Sequence, residues 1–129
     1  MNSPLAILHV DDEADIRDVV AFALELDPGV ALTSAGSGEA ALELLAAGLR
    51  PDVILLDVMM PRLDGPETLH QLRALSGFEA TPVVFMTARA QSSELGEWLA
   101  LGAVGVIIKP FDPMGLARQV RDLLAGAVG

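Results

Sequence analysis

Val53-Ile54-Leu55-Leu56 is an unbroken apolar run that ends in a carboxylate, Asp57, and it restricts the available folds more than any other stretch. A strand with one wet face alternates apolar and polar residues. A short continuous run reads as a strand buried on both faces, as parallel sheets require. Pro51-Asp52 precedes it, and Pro61 and Asp64-Gly65 break the chain before the next helix. A charge at the tip of a buried strand does little for solubility. In open parallel sheets, ligands bind just beyond the carboxyl ends of the strands, so Asp57 is the first candidate functional residue.

The rest of the chain supplies partners for that strand. Leu5 to Val10 is a first apolar run, ending in Asp11-Asp12-Glu13. Ile16, Val19, Val20, Ala23 and Leu24 follow at i, i+3, i+4, i+7 and i+8, the buried stripe of a helix that Asp27-Pro28-Gly29 stops. Val30 to Thr33 is a weak second strand. Ser37 caps a second helix with Glu39 in its first turn, Ala41, Leu44 and Leu45 inside and Gly48 as its C-cap. Asp64 and Glu67, with Pro66 between them, open a third helix that buries Leu69, Leu72 and Leu75. Pro82 to Met86 is a fourth strand ending at Thr87. The fourth helix, Ser92 to Leu101, carries Gly96 in its middle, at a cost of about 1 kcal/mol relative to Ala. Val104 to Ile108 is a fifth strand ending at Lys109-Pro110. Asp112 caps a last helix with Pro113 at its first position and Leu116, Val120, Leu123 and Leu124 inside. Strand and helix alternate throughout. The expectation is a doubly wound α/β fold, a five-stranded parallel sheet with helices on both faces.

A chain of 129 residues, 52% hydrophobic, supports a single domain with a sizeable core, about residues 5–124, without staples. It contains no Cys, which removes disulfides and thiolate metal sites. No apolar run is long enough to span a bilayer, and no basic segment followed by an apolar stretch opens the chain; the expected location is cytoplasmic, away from membranes. The net charge of −10 repels phosphate backbones, so no direct nucleic-acid binding is expected.

In a parallel sheet every carboxyl end lies on one edge. That edge gathers Asp11 and Asp12, Asp57, Thr87 and Lys109. Carboxylates sharing a site repel unless a cation joins them. All-oxygen ligation suits Mg2+, and with no Cys and only His9 and His70 the chain is a poor zinc binder. His9 reads as a core residue behind the acidic pair and His70 as a solvated helix residue. Asp57 can attack phosphorus to give an aspartyl phosphate, while Lys109, Thr87 and the cation meet the charge on the phosphoryl oxygens. Singly, each residue has a plainer reading: Asp11 and Asp12 as helix caps, Asp57 as a turn residue, Thr87 as a strand-end hydroxyl, Lys109 as a solvated amine. Their convergence on one edge favours a functional site.

Asp11-Asp12, Asp57 with Met60-Pro61 and Asp64-Gly65 after it, Thr87, and Lys109-Pro110 stand in this order at the strand ends. In this the chain resembles a response-regulator receiver domain of two-component signalling and is similar to the chemotaxis response regulator. The resemblance covers about residues 5–124. It implies the flavodoxin-like strand order 2-1-3-4-5, for which this family is a standard illustration. It further implies Mg2+ held directly by Asp12 and Asp57, through water by Asp11, and by the Met59 backbone carbonyl. Asp57 is then the phosphoacceptor, with Thr87 and Lys109 completing the reaction site. The implied donor is a phosphohistidine of a histidine kinase or histidine phosphotransfer protein, and the Lys109-Pro110 bond is implied to be cis. Met59 and Arg89, two residues past Asp57 and Thr87, occupy positions that tune dephosphorylation in the family. One position departs from the pattern: Val106 stands where the family usually has a Tyr or Phe whose ring swings inward.

The function expected is a phosphorylation-controlled switch that changes binding to a downstream protein target. Its only catalysis is self-directed, and it acts as a monomer or weak homodimer with no output domain in this chain. Trp98, the sole Trp, reads either as packing or as an interface anchor on an output surface of the fourth helix, fifth strand and fifth helix. Two other functions compete. A small Mg2+-dependent phosphatase with an aspartate nucleophile needs a second carboxylate two residues past Asp57, where Met59 stands. A phosphorylation-independent docking module would ignore a phosphodonor.

Overall fold

The computed structural model describes residues 3–88 and 92–128. Strands β1 (Leu5–Val10), β2 (Val30–Ala35), β3 (Val53–Asp57), β4 (Val83–Thr87) and β5 (Gly105–Ile108) alternate with helices α1 (Ala14–Glu25), α2 (Gly38–Ala46), α3 (Gly65–Arg73), α4 (Ser92–Ala100) and α5 (Leu116–Val128). The strands form one sheet in the order β2-β1-β3-β4-β5. Every pairing is parallel, so all carboxyl ends share an edge as expected.

The period-2 geometry of the strands sorts their side chains into two cores. Leu8, Val10, Ile54, Leu56, Val83 and Phe85 pack against Ala41 and Leu45 of α2, Leu69 and Leu72 of α3 and Trp98 of α4. Ile7, Val53, Leu55, Val84, Met86 and Ile107 pack against Val20, Ala23 and Leu24 of α1 and Leu116 and Val120 of α5. Every residue of β3 and β4 is buried, which is why these two strands read as continuous apolar runs.

Local chemistry closes the elements. Ser37 Oγ accepts from the Ala40 N–H and Asp64 Oδ1 from the Glu67 N–H, each satisfying a free donor at a helix start. Glu67 turns its own carboxylate to Gln71 Nε2, so the Asp64 half of the capping box is the half that forms. At the end of α2, Ala47 is the C-cap and Gly48 lies one residue beyond it at φ +117°. There the Leu49 N–H donates to the Leu44 carbonyl and the Gly48 N–H to that of Leu45, a Schellman closure.

Several expectations need correction. β2 runs on to Ala35 because it pairs residue for residue with β1 from Leu5↔Val30 to Val10↔Ala35; the ladder overrides a weak local pattern. Val19, at the margin of the α1 stripe, is 41% exposed. Leu75 lies past the end of α3, Pro82 and Val104 lie just outside their strands, and Leu101 lies outside α4. Pro113 opens a short 3-10 turn, Pro113–Gly115, and α5 begins after it. Asp112 still caps, accepting from the Met114 N–H.

Candidate functional site

The backbone ladder fixes the carboxyl edge before any side chain is considered. Asp57 stands opposite Met86 in register, and the Val58 N–H donates to the Met86 carbonyl at 3.1 Å. The Lys109 N–H donates to the Thr87 carbonyl at 2.7 Å, tying the end of β5 to the end of β4. The Asp11 N–H donates to the Ala35 carbonyl at 3.1 Å, placing the acidic pair where β1 leaves the sheet. After Asp57 the chain turns back so sharply that Gly65 sits on it. A Cβ at Gly65 would collide with the Asp57 carbonyl oxygen and stand 2.9 Å from Val58 Cα. Only glycine permits that approach.

Folding brings Asp11, Asp12, Asp57 and Lys109 together. One carboxylate oxygen from each of the three aspartates lies within 4.8 Å of the other two. Lys109 Nζ donates to Asp11 Oδ2 at 3.0 Å and to Asp57 Oδ1 at 3.2 Å. Asp11 and Asp57 are buried, whereas Asp12 is exposed at the mouth of the site. The capping alternative for the acidic pair falls away, since the N-cap of α1 is Glu13. Asp11 Oδ1 instead accepts from the Glu13 N–H at 2.9 Å, just ahead of the helix. Thr87 is buried at the end of β4, beside this cluster in chain order and sheet order. The Lys109-Pro110 bond is cis.

The electrostatics follow from burial and crowding. Desolvation, then the neighbouring Asp11 charge, push the Asp57 carboxyl up from 3.8 to about 6, against the opposing pull of Lys109 and the Met59 N–H. Burial works against the Lys109 ammonium, but its bond to Asp11 and the charges of Asp11 and Asp57 outweigh this and hold it above its ordinary value. His9 lies fully buried with its Nε2 3.9 Å from Asp11 Oδ2. Desolvation takes it down to about 4, so it is neutral at pH 7. Three carboxylates served by one ammonium form an oxygen-rich bowl short of positive charge. That donor set, and its spacing, fit a small hard cation such as Mg2+ with waters completing its shell.

The remaining sequence candidates fall elsewhere. The Met59 side chain is 62% exposed, while its N–H bonds the Asp57 carboxylate. Arg89 lies outside the described residues. Val106 is half-buried and pairs in register with Phe85. Trp98 is not a surface anchor. It is 7% exposed, with its ring centroid 6.3 Å from that of Phe85 at a tilt of 55°. His70 is exposed on α3. Sequence reasoning missed Arg17, whose Nη1 donates to the Asp11 backbone carbonyl at 2.6 Å. The available signal was a cation near the start of α1, where the helix dipole disfavours one.

The comparisons agree with this geometry. A model of the response regulator receiver domain matches residues 7–121. Response regulator Rre1 of Synechocystis is 36% identical over 125 residues, 97% of this chain and 54% of that protein. Response regulator MprA of Mycolicibacterium vanbaalenii is 40% identical over 121 residues, 94% of this chain and 51% of that protein. The chain thus spans about half the length of the curated relatives it matches. Among solved structures, the chemotaxis response regulator CheY4 of Vibrio cholerae superposes with a TM-score of 0.84 at 33% identity, covering 94% of this chain and 99% of that one. The receiver domain of Francisella response regulator 1452 gives 0.81 at 32% identity, covering 93% and 96%.

Proposed function

Because the chain belongs to the response regulator receiver domain family, a family of phosphorylation-controlled signalling switches, we propose that Asp57 is its phosphoacceptor and that a histidine kinase or histidine phosphotransfer protein supplies the phosphoryl group. The observation that carries this reading is the Lys109 ammonium held between the Asp11 and Asp57 carboxylates at the carboxyl edge of the sheet. In the transfer, an Asp57 carboxylate oxygen forms a bond to phosphorus. The phosphorus–nitrogen bond to the donor imidazole breaks, its electron pair returns to that nitrogen, and a proton follows. Lys109 Nζ, already within reach of Asp57 Oδ1, meets the charge on the transferred oxygens. The Thr87 hydroxyl is the second donor. The Met59 N–H holds the Asp57 carboxylate in orientation.

Asp12 and Asp57 would hold Mg2+ directly with the Met59 carbonyl, and Asp11 through water; when bound, the ion supplies positive charge to the phosphoryl oxygens. The bowl accepts a group of its own chain and releases it by hydrolysis, so the chemistry is self-directed and no separate substrate is turned over. The phosphatase reading lacks its acid/base group, since the position two residues past Asp57 is Met59. Among the described residues no helix is long and apolar enough to cross a membrane. We place the domain in the cytoplasm with its phosphodonor. Its target is a protein that distinguishes phosphorylated from free Asp57.

The test is incubation with acetyl phosphate and Mg2+ followed by intact mass measurement. The native chain gains one phosphoryl group, and Asp57→Ala gains none. An unmodified native chain, or a modified Asp57→Ala, overturns the assignment.

A further inference from the structure

We propose that Arg17 is a positioning residue for the acidic pair: its guanidinium, seated in a slot left open by Gly36, fixes the Asp11 carbonyl and thereby aims the Asp12 carboxylate into the metal bowl. This rests on the reading that the bowl takes Mg2+. The starting observation is the 2.6 Å bond from Arg17 Nη1 to the Asp11 backbone oxygen. The last register pair of β1 and β2 is Val10 with Ala35. Arg17 therefore takes hold of the chain at the residue where it leaves the sheet. A peptide unit is planar, so fixing the Asp11 carbonyl also fixes the Asp12 N–H and the line along which the Asp12 Cα departs.

Asp11 itself is held at three points. Its Oδ1 accepts from the Glu13 N–H at 2.9 Å, its Oδ2 from Lys109 Nζ at 3.0 Å, and its carbonyl from Arg17. Asp12 is exposed, and what directs it is the peptide plane that Arg17 pins.

Gly36 bears on the same guanidinium. At Gly36, the residue after β2, a Cβ would stand 3.3 Å from Arg17 Nη1, 3.6 Å from Cζ and 3.9 Å from Nη2. All three distances are to the guanidinium, which thus lies against the glycine backbone. A Cβ there would stand closer to Nη1 than ordinary van der Waals contact, so the guanidinium that holds the carbonyl would have to give by a few tenths of an ångström. The arrangement sits close to the helix start, where a cation is disfavoured by the dipole, so the bond to Asp11 is what Arg17 gains by standing there. Groups that orient a metal ligand from behind typically change metal affinity by about 10- to 100-fold when removed.

The experiment measures Mg2+ affinity by titration calorimetry, together with the metal-free melting temperature, for the native protein, Arg17→Met, Arg17→Lys and Gly36→Ala. Arg121→Met, which removes the ion pair between α5 and Asp27 in the loop after α1, is the control. Arg17→Met is expected to raise the Mg2+ Kd by about tenfold or more. Arg17→Lys, which restores a donor and its charge, recovers part of the loss. Gly36→Ala weakens binding in the same direction although Arg17 is intact. The control leaves Kd unchanged. A role in packing alone would lower the melting temperature of Arg17→Met and leave the Kd of the folded protein within about twofold of native; that result overturns the assignment while the proposed function stands. If Arg17→Met does not fold, native-like Kd values in both Arg17→Lys and Gly36→Ala overturn it equally. Failure of the native protein to take up Mg2+ removes the proposed function, and this assignment with it.

Discussion

Asp57 is 4% exposed and shares its surroundings with a second buried carboxylate, so in the metal-free protein its ionised form is held at a cost. Its pKa is about 6, against 3.8 for the unperturbed group. The folded state therefore binds a proton that the unfolded state releases between these values. The sign follows: the stability linked to Asp57 is fully present below pH 3.8 and is lost as pH rises through about 6. Replacing the carboxylate by the isosteric amide removes the penalty. Asp57→Asn is expected to be more stable than the native protein without Mg2+ by about 1–3 kcal/mol near pH 7.5, with the gain shrinking through pH 6 and absent below about pH 4. His9 is displaced the other way, from 6.5 to about 4, so it removes stability as pH falls across that interval. In the native protein the two slopes oppose each other. In Asp57→Asn the opposing Asp57 slope is gone, and urea unfolding at a series of pH values should show stability falling as pH drops from 6.5 towards about 4. An amide variant no more stable than native at neutral pH would mean that Lys109 already neutralises the bowl.

At the scale of elements, α4 carries a marked internal weakness. Gly96 lies in its interior, is exposed, and a Cβ placed on it meets nothing within 4 Å. Gly96→Ala therefore adds no clash and removes the entropy that glycine loses on entering a helix. It should stabilise the protein by about 0.5–1 kcal/mol, a rise of a few degrees in melting temperature, and slow amide exchange through α4. A neutral or destabilising result would show that α4 is strained by its packing and not softened by Gly96.

The same elements show what a sequence can and cannot disclose. β3 and β4 were legible because burial on both faces leaves no polar alternation to misread. Asp11, Asp12, Asp57 and Lys109 were legible as a group because parallel topology forces strand ends onto one edge. The last residues of β2 were not, since they are strand only through pairing with β1. Arg17 was not, because its role is a side-chain bond to a backbone carbonyl across the turn from β1 to α1, which leaves no periodic trace. Trp98 kept two readings in the sequence, and its burial against the ring of Phe85 decides for the core.

For the molecule as a whole, the question is how an event at the carboxyl edge reaches the α4 side of the sheet. Strand β4 touches both. Met86 stands opposite Asp57 and holds the Val58 N–H, Thr87 follows it, and the Phe85 ring on the same strand lies 6.3 Å from Trp98. Phosphorylation of Asp57, as proposed, would exchange one negative charge there for roughly two and add acceptor oxygens that offer Lys109 and Thr87 new partners. A fully buried strand cannot absorb a displacement of its end by loosening locally, because its packing on both faces is dense. The displacement should therefore appear at Phe85 and at the indole packed on it. Val106, opposite Phe85 in register, packs against the same core, so the Phe85–Trp98 contact lies beside it. The emission of Trp98, the only Trp, is expected to change when acetyl phosphate and Mg2+ are added, and to stay constant in Asp57→Ala. Spatial continuity alone does not establish coupling, so the decisive comparison is Phe85→Leu. This variant should accept the phosphoryl group as the native chain does, by mass, while its Trp98 response is lost. An undiminished response in Phe85→Leu would route the signal around β4, through the chain that follows Thr87, and an unchanged native emission on full phosphorylation would uncouple α4 from the site.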